Sequence, residues 1–436
     1  MAKTAKKPKN SLKKKASFQS LKGMHDILPA DQPLWEKIRQ TTKNIAESFN
    51  FLRIDTPMME VAEIFEKGVG QATDIVEKQM FFIKTKSNDR MVLRPEGTAA
   101  VVRAYFEHGL SKFGQPVKLY YFGPMFRYEQ PQSGRFRQFY QAGFEILGGE
   151  GDPVYDAEAI LVSYRFIEDA KIKNSVIKIN SIGCHKCRPP YVRRLEGYFR
   201  KNQKKICKDC QGRLNANPLR VLDCKEEGCQ AVKAEAPVIL DFLCESCKTH
   251  FKKVLEYLDE LRLPYMIDAY LVRGLDYYNR TVFEIYAEGF NFAIAAGGRY
   301  DYLAEMLKIG KLAAMGSSVG IDRVIEILKV SGKTLPLKNS PKVFLIHIGD
   351  EAKKKGLALV EDFRNANIRV SESFGRESLK SQLRIADKGK AELALILGQK
   401  EVFEESIIIR DMKNSVQETV PLKKVVDEVK KRLNSH

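Results

Sequence analysis

At 436 residues the chain exceeds one ordinary domain, and 44% hydrophobic with 29% charged residues is a globular composition that excludes wholesale disorder. No run of about 18 apolar residues exists and no apolar segment follows the N-terminal lysines. A soluble, cytoplasmic protein with no membrane contact is therefore expected. The net charge of +18 favours a polyanionic partner, because a basic surface meeting phosphates releases counterions; plain solubility is the simpler alternative.

Residues 1–22 hold eight lysines and no acid, too hydrophilic and self-repelling to fold alone, and read as a disordered basic tail. A turn-rich stretch leads to Asp31, a plausible N-cap, and Pro33, tolerated in a first helical turn. Leu34, Ile38, Ile45 and Phe49 recur near helical spacing and predict a helix over 32–50, followed by a short strand over 51–54.

A strand over 91–94 turns at Pro95-Glu-Gly-Thr98 into a helix over 99–107. Glu96 and Thr98 thus sit beside a helix N-terminus, suited to anions; a simple cap is the alternative. Two long strands, 117–129 and 137–147, flank a polar loop at 130–135. In the second, Phe139, Gln141, Gly143 and Glu145 share a face whose glycine leaves room for a ligand. Arg127 and Glu129 share a face of the first. Arg, Glu, Gln and Glu turned to one cavity are costly if they only hold the fold together.

A helix and a strand occupy 150–180. All eight cysteines then fall in one region as Cys184/Cys187, Cys207/Cys210, Cys224/Cys229 and Cys244/Cys247. In a reducing compartment such pairs suit tetrahedral zinc. They could form two four-thiolate sites or one with spare thiols; unligated buried cysteines and disulfides remain alternatives.

A β-rich run over 265–272 leads into Leu271-Val-Arg-Gly-Leu-Asp-Tyr-Tyr-Asn-Arg280, with a second strand over 281–287. Guanidinium, carboxylate and phenols converging at such a corner look like a pocket wall for a small polar ligand. Phe292-Ala-Ile-Ala-Ala reads as a buried strand that breaks at Gly297-Gly298. The segment 315–324 is a glycine-rich approach to a helix ending near Val330, with Arg323 one turn along. Residues 331–340 are a linker by composition, and the alternation beyond them implies a separate α/β domain.

Together these segments resemble histidyl-tRNA synthetase from about Lys22 to the C-terminus. Residues 31–60, 117–147 and 315–328 look like the three class II synthetase motifs. Arg94-Pro-Glu-Gly-Thr98, Leu271 to Tyr278 and Ala296-Gly-Gly-Arg-Tyr-Asp301 are similar to signatures of the histidine enzyme. The resemblance implies an α+β fold: a six- or seven-stranded antiparallel class II sheet flanked by helices, a cysteine-rich insertion, and a C-terminal α/β anticodon-binding domain. The implied boundaries are a tail at 1–22, a catalytic core at 23–180 and 259–330, the insertion at 181–258, a linker at 331–340 and the anticodon domain at 341–436. A homodimer through the first motif is implied too, with L-histidine, ATP, Mg2+ and histidine tRNA as substrates and partners.

The chemistry agrees with that family. A carboxylate that attacks the α-phosphate of ATP is already ionised, so the site must position it and neutralise phosphate charge. Arg127, Arg273 and Arg323 suit that work through bidentate guanidinium contacts. By resemblance, Arg127 holds the α-phosphate and the substrate carboxylate, Arg273 lies across the α-phosphate, and Arg323 meets the γ-phosphate, with Glu129 also at the ATP site. Glu145 and Tyr278 can match both edges of an imidazole. Glu96, Thr98 and Gln141 would grip the amino group, with Gly97 and Tyr277 in the same histidine site. Gln130, Gln132 and Arg135 belong to the loop that reads the tRNA acceptor end, where Gln130 replaces the family's usual arginine. The runner-up is a synthetase-like regulatory subunit of ATP phosphoribosyltransferase, expected to lack the last domain and erode the catalytic arginines.

Overall fold

The computed structural model describes residues 18–333 and 341–434, apart from 72, 85, 87, 88, 132, 133 and 377. Most of the expected basic tail and linker, and Gln132, lie outside the described residues. The chain divides into two compact units, Met1–Thr334 and Leu335–His436.

The first unit is built on an eight-stranded sheet. Its strands are β1 (Leu52–Arg53), β2 (Met59–Val61), β3 (Phe81–Lys84), β4 (Arg90–Leu93), β5 (Val117–Phe126), β6 (Gln138–Leu147), β7 (Ser175–Ser181), β8 (Tyr265–Ile267), β9 (Asn279–Ala287), β10 (Ala295–Arg299) and β11 (Ala314–Gly320). The large sheet runs β1-β5-β6-β11-β10-β9-β7-β8, while β2-β4-β3 form a small separate sheet. The six inner strands are mutually antiparallel, and the short edge strands β1 and β8 pair in parallel. The expected six or seven antiparallel strands are thus the centre of a wider, mixed sheet.

Helix α1 (Gln32–Ser48) forms where expected and buries Leu34, Trp35, Ile38, Ile45 and Ala46 along one stripe. Asp31 makes no side-chain cap; it pairs instead with Lys329 at 2.5 Å. Helices α2 (Ala62–Gly68), α3 (Thr98–Glu107) and α4 (Val154–Asp169) follow.

Two strand readings change. The run expected as a strand to Val272 stops at Ile267, because Asp268 folds the chain into a turn. Its Oδ1 accepts from the Tyr270 amide at 3.2 Å, and its carbonyl accepts from the Leu271 amide at 2.9 Å. The strand expected to break at Gly297-Gly298 instead runs through both as β10. A Cβ at Gly297 would meet the Gly316 carbonyl at 2.3 Å, so the glycine is there for close strand approach.

Between β7 and β8 lies a helical insertion: α5 (Arg188–Lys201), α6 (Lys208–Ala216), α7 (Glu227–Lys233) and α8 (Glu245–Glu260). It has its own core, in which Tyr191, Leu195 and Phe199 pack with Val221, Leu222 and Leu243 around the cysteines. The unit closes with α9 (Leu303–Met306) and α10 (Ile321–Val330).

The second unit contains β12 (Val343–His347), α11 (Asp350–Asn365), β13 (Val370–Glu372), α12 (Leu379–Lys388), β14 (Leu393–Leu397), α13 (Gln399–Phe403), β15 (Ser406–Asp411), β16 (Gln417–Pro421) and α14 (Val425–Asn434). Its sheet runs β13-β12-β14-β15-β16, parallel over the first three strands and antiparallel after. Strands β12 and β14 are buried throughout, as a sheet covered on both faces requires. Phe363 and Val429 cover one face, and Ala386 the other.

Candidate active site

Register explains why the cavity sits over β6. Gln141, Gly143 and Glu145 lie opposite Gly123, Tyr121 and Leu119 on β5, and opposite Gly320, Ser318 and Gly316 on β11. Small residues on β11 leave Gln141 of β6 uncovered. Above them is a cavity of about 330 Å3, within the range of small-molecule sites. Its lining includes Glu96, Thr98, Arg127, Glu129, Arg135, Gln141, Arg273, Tyr277, Tyr278 and Arg323. The structure therefore brings together most of the residues singled out in the sequence.

Glu145 is fully buried and lies behind the wall, where a Cβ at Gly316 would meet its Oε2 at 1.8 Å. Its carboxylate accepts from the Thr98 hydroxyl at 2.7 Å and the Tyr300 hydroxyl at 2.5 Å. Burial pushes its pKa up to about 8, against the pull of those hydroxyls. Burial likewise raises Tyr278 to about 12, so the phenol stays a donor. Glu96 accepts the Thr98 and Ala99 amides at 2.7 and 2.9 Å and so does cap α3, while still lining the cavity.

The room expected at Gly143 is taken by a side chain of the protein itself. The Tyr121 ring occupies it, since a Cβ at Gly143 or Gly97 would meet that ring at 2.1 or 2.4 Å. Gly97 is thus a gap that admits a phenol.

The three arginines differ in their partners. Arg273 is ion-paired with Glu284, which also accepts from the Tyr286 hydroxyl at 2.5 Å. Arg127 and Arg323 make no ion pair among the described residues. Arg127 Nε donates to the Pro95 carbonyl at 2.9 Å, and Arg323 donates to the Gly134 and Ala293 carbonyls at 3.0 and 2.6 Å. Burial lowers the pKa of both, and neighbouring arginines lower Arg323 further. Two guanidiniums held by carbonyls and without a direct ion pair among the described residues are a receptor for an anion.

Glu129 lines the cavity with Arg135 3.7 Å away. Gln130 is exposed and outside the lining. Tyr121 and Tyr300 escaped the sequence reading of the site. Tyr121 was accessible through alternation along β5, and Tyr300 through the quoted Ala296–Asp301 signature. Arg220, Asp223 and Lys225, from the insertion, also line the cavity, and no local pattern signals this.

The cysteines resolve into two groups, Cys184/Cys187/Cys244/Cys247 and Cys207/Cys210/Cys224/Cys229, each with its sulfurs within 4.8 Å of one another. All eight are free thiols.

Comparison with known proteins agrees with this geometry. The family profile described as histidyl-tRNA synthetase matches residues 23–186 and 211–324, and an anticodon-binding domain profile matches 342–432. A histidine–tRNA ligase of Dehalococcoides mccartyi is 44% identical over 418 residues, 95% of this chain and 100% of that protein. One of Desulforamulus reducens is 40% identical, over 94% of this chain and 98% of its own. The apo structure of the S. aureus histidyl-tRNA synthetase superposes with a TM-score of 0.75 at 32% identity, covering 94% of this chain and 99% of that one. A Bacillus halodurans structure described as an ATP phosphoribosyltransferase regulatory subunit/histidyl-tRNA synthetase shares the fold, at 19% identity, 86% and 96% coverage and a TM-score of 0.60. With its sheet, its pocket and near full-length relatives in agreement, the chain belongs to the histidyl-tRNA synthetase family.

Proposed function

We propose that the cavity over β6 activates L-histidine with ATP, forming histidyl-adenylate and pyrophosphate, and that the chain then passes histidine to the 3′ end of histidine tRNA. The relatives aligned over nearly the whole chain are histidine–tRNA ligases. The observation that carries the assignment to this cavity is its pairing of two carbonyl-held guanidiniums with a buried acid–phenol cluster.

In this reading Tyr278 meets the imidazole with Glu145 buried behind the wall at that end, and Glu96, Thr98 and Gln141 receive the amino group. Arg127 holds the substrate carboxylate against the α-phosphate. The carboxylate oxygen attacks that phosphorus, the bond to the bridging oxygen breaks, and the electron pair leaves with pyrophosphate. Arg273 meets the charge that develops at the α-phosphate, and Arg323 the far end of the triphosphate. Mg2+ would come with ATP as a counter-ion to its phosphates, and Glu129, which lines the cavity, would supply it a carboxylate oxygen. In the adenylate the acyl carbon is open to a tRNA hydroxyl, with AMP as leaving group. Gln130, Gln132 and Arg135 are the residues assigned to reading the acceptor end, and the 341–436 unit takes the anticodon stem.

A homodimer is part of this reading. Leu52, Met59, Val61 and Phe82 expose apolar side chains on β1, β2 and β3, next to the first class motif. No helix among the described residues is long and apolar enough to cross a membrane, in keeping with a cytoplasmic enzyme. The regulatory-subunit alternative is not favoured, because the C-terminal domain and all three arginines are present. ATP–pyrophosphate exchange measured across the amino acids tests the proposal: exchange is expected with histidine, and exchange with another amino acid alone overturns it.

A further inference from the structure

The second cysteine group lies beside the activation cavity. Cys224 stands between Asp223 and Lys225, and both of these neighbours line the cavity. The same stretch of chain is tied to the catalytic core at its other end. Asn217 Nδ2 donates to Asp276 Oδ1 at 3.3 Å, and Arg220 pairs with Asp74 at 2.5 Å while reaching the Gly274 carbonyl at 3.4 Å. Residues 217–225 therefore span from the Arg273 loop to the thiols.

The thiols have the arrangement of a metal centre. Bonds of about 2.3 Å to a tetrahedral ion set its sulfurs about 3.8 Å apart. Cys207 and Cys224 Sγ lie 3.9 Å apart, far beyond the disulfide length of about 2.05 Å. The Cys207 amide donates to Cys229 Sγ at 3.2 Å. The companion group repeats the pattern, with 3.7 and 3.9 Å between sulfurs and the Cys244 amide 3.1 Å from Cys187 Sγ. Eight unligated core thiols would have no reason to converge twice in this way. Four soft donors at single-ion spacing suit tetrahedral zinc.

We infer that Cys207, Cys210, Cys224 and Cys229 bind one zinc ion, and that this ion clamps the cavity wall by fixing Asp223 and Lys225 on either side of a ligand. Binding releases the thiol protons and supplies folding energy to a stretch whose regular structure is one short 3-10 helix, Pro218–Asp223. The functional consequence rests on the activation reading above, whereas the ion and its clamp do not.

The test uses the full-length protein, purified reduced. Zinc content should be two equivalents per chain, and the Cys210→Ser variant should lose one of them. Cobalt(II) in place of zinc should give the intense visible bands of tetrahedral thiolate coordination, halved in the variant. Hydrogen exchange at 217–225 and 273–276 should rise in the variant, and the KM for ATP in pyrophosphate exchange should rise about tenfold as the wall loses its position. Should the variant not fold, an organomercurial ejects both ions from the folded wild-type protein, and hydrogen exchange at 217–225 and 273–276 should rise in the same way. Zinc below about half an equivalent per chain in fresh wild-type protein overturns the centre. Unchanged hydrogen exchange at 217–225 after ejection overturns the clamp. A wild type that never activates histidine would sink the proposed function, while metal content and hydrogen exchange still decide the clamp.

Discussion

Thr98 donates its hydroxyl to Glu145 at 2.7 Å, joining the first turn of α3 to β6 and enclosing a fully buried carboxylate. With Tyr300 on its other oxygen, Glu145 is held as a fixed acceptor behind the cavity floor.

This acid should make stability fall with pH. Burial pushes its folded pKa up to about 8, above the ordinary carboxyl value of 4.5, so between those values the folded state binds the extra proton. Stability contributed by this group is therefore lost as pH rises through that window, by about 1.4 kcal/mol per unit. Glu145→Gln should melt higher than the wild type at pH 8 and nearly equally at pH 4.5, read by calorimetry. The same variant should lose about 100-fold or more in kcat/KM for histidine, because a site built around an ionisable acceptor then presents an amide. Equal pH profiles for the two proteins would contradict the assignment.

Arg273→Ala should slow single-turnover adenylate formation about 100-fold while changing the Kd for ATP far less, since its charge matters most as the phosphorane forms. The variant also leaves Glu284 without its cation, so a lower melting temperature should accompany it. Quenched-flow measurement on the folded fraction separates the two effects; an unchanged chemical rate removes Arg273 from catalysis.

Val61→Glu places a charge in the exposed apolar strip of β2 and should shift the protein from dimer toward monomer. Sedimentation velocity gives the answer. A wild type that is already monomeric at micromolar concentration refutes the dimer.

Truncation after residue 333 should leave histidine-dependent exchange largely intact. Charging should fall about 100-fold or more, through loss of a second binding module. The self-contained core of the second unit motivates this expectation. Loss of exchange in a truncated protein with native circular dichroism would contradict the division of labour.

Removing residues 1–17, which hold seven lysines, should flatten the salt dependence of tRNA binding, with a slope change of roughly 0.7–0.9 per lost phosphate contact. Identical slopes with and without the segment would refute a role in RNA binding.

What the sequence made legible was local. Alternation along β6 put Gln141 and Glu145 on one face, and spacing in α1 gave its buried stripe, because both signals repeat every two or four residues. The misreadings share one cause. Gly297-Gly298 looks like a strand end until Gly316 is placed beside it, and Gly143 looks like room for a ligand until Tyr121 fills it. The same holds for Asp223 in the cavity wall, which follows from a contact between Arg220 and Asp74, 146 residues apart. The cysteine pairing also waited on the fold, since the first group joins residues on both sides of the insertion and encloses the second in sequence.

Arg127 and Arg323 carry one further consequence. A pair of cations without direct ion-pair partners among the described residues recognises a chain of phosphates by charge and does not distinguish incoming triphosphate from departing pyrophosphate. Turnover should therefore follow the ratio of ATP to pyrophosphate rather than ATP alone, and removal of pyrophosphate by a phosphatase elsewhere in the cell would set the pace of histidine activation as surely as nucleotide supply does.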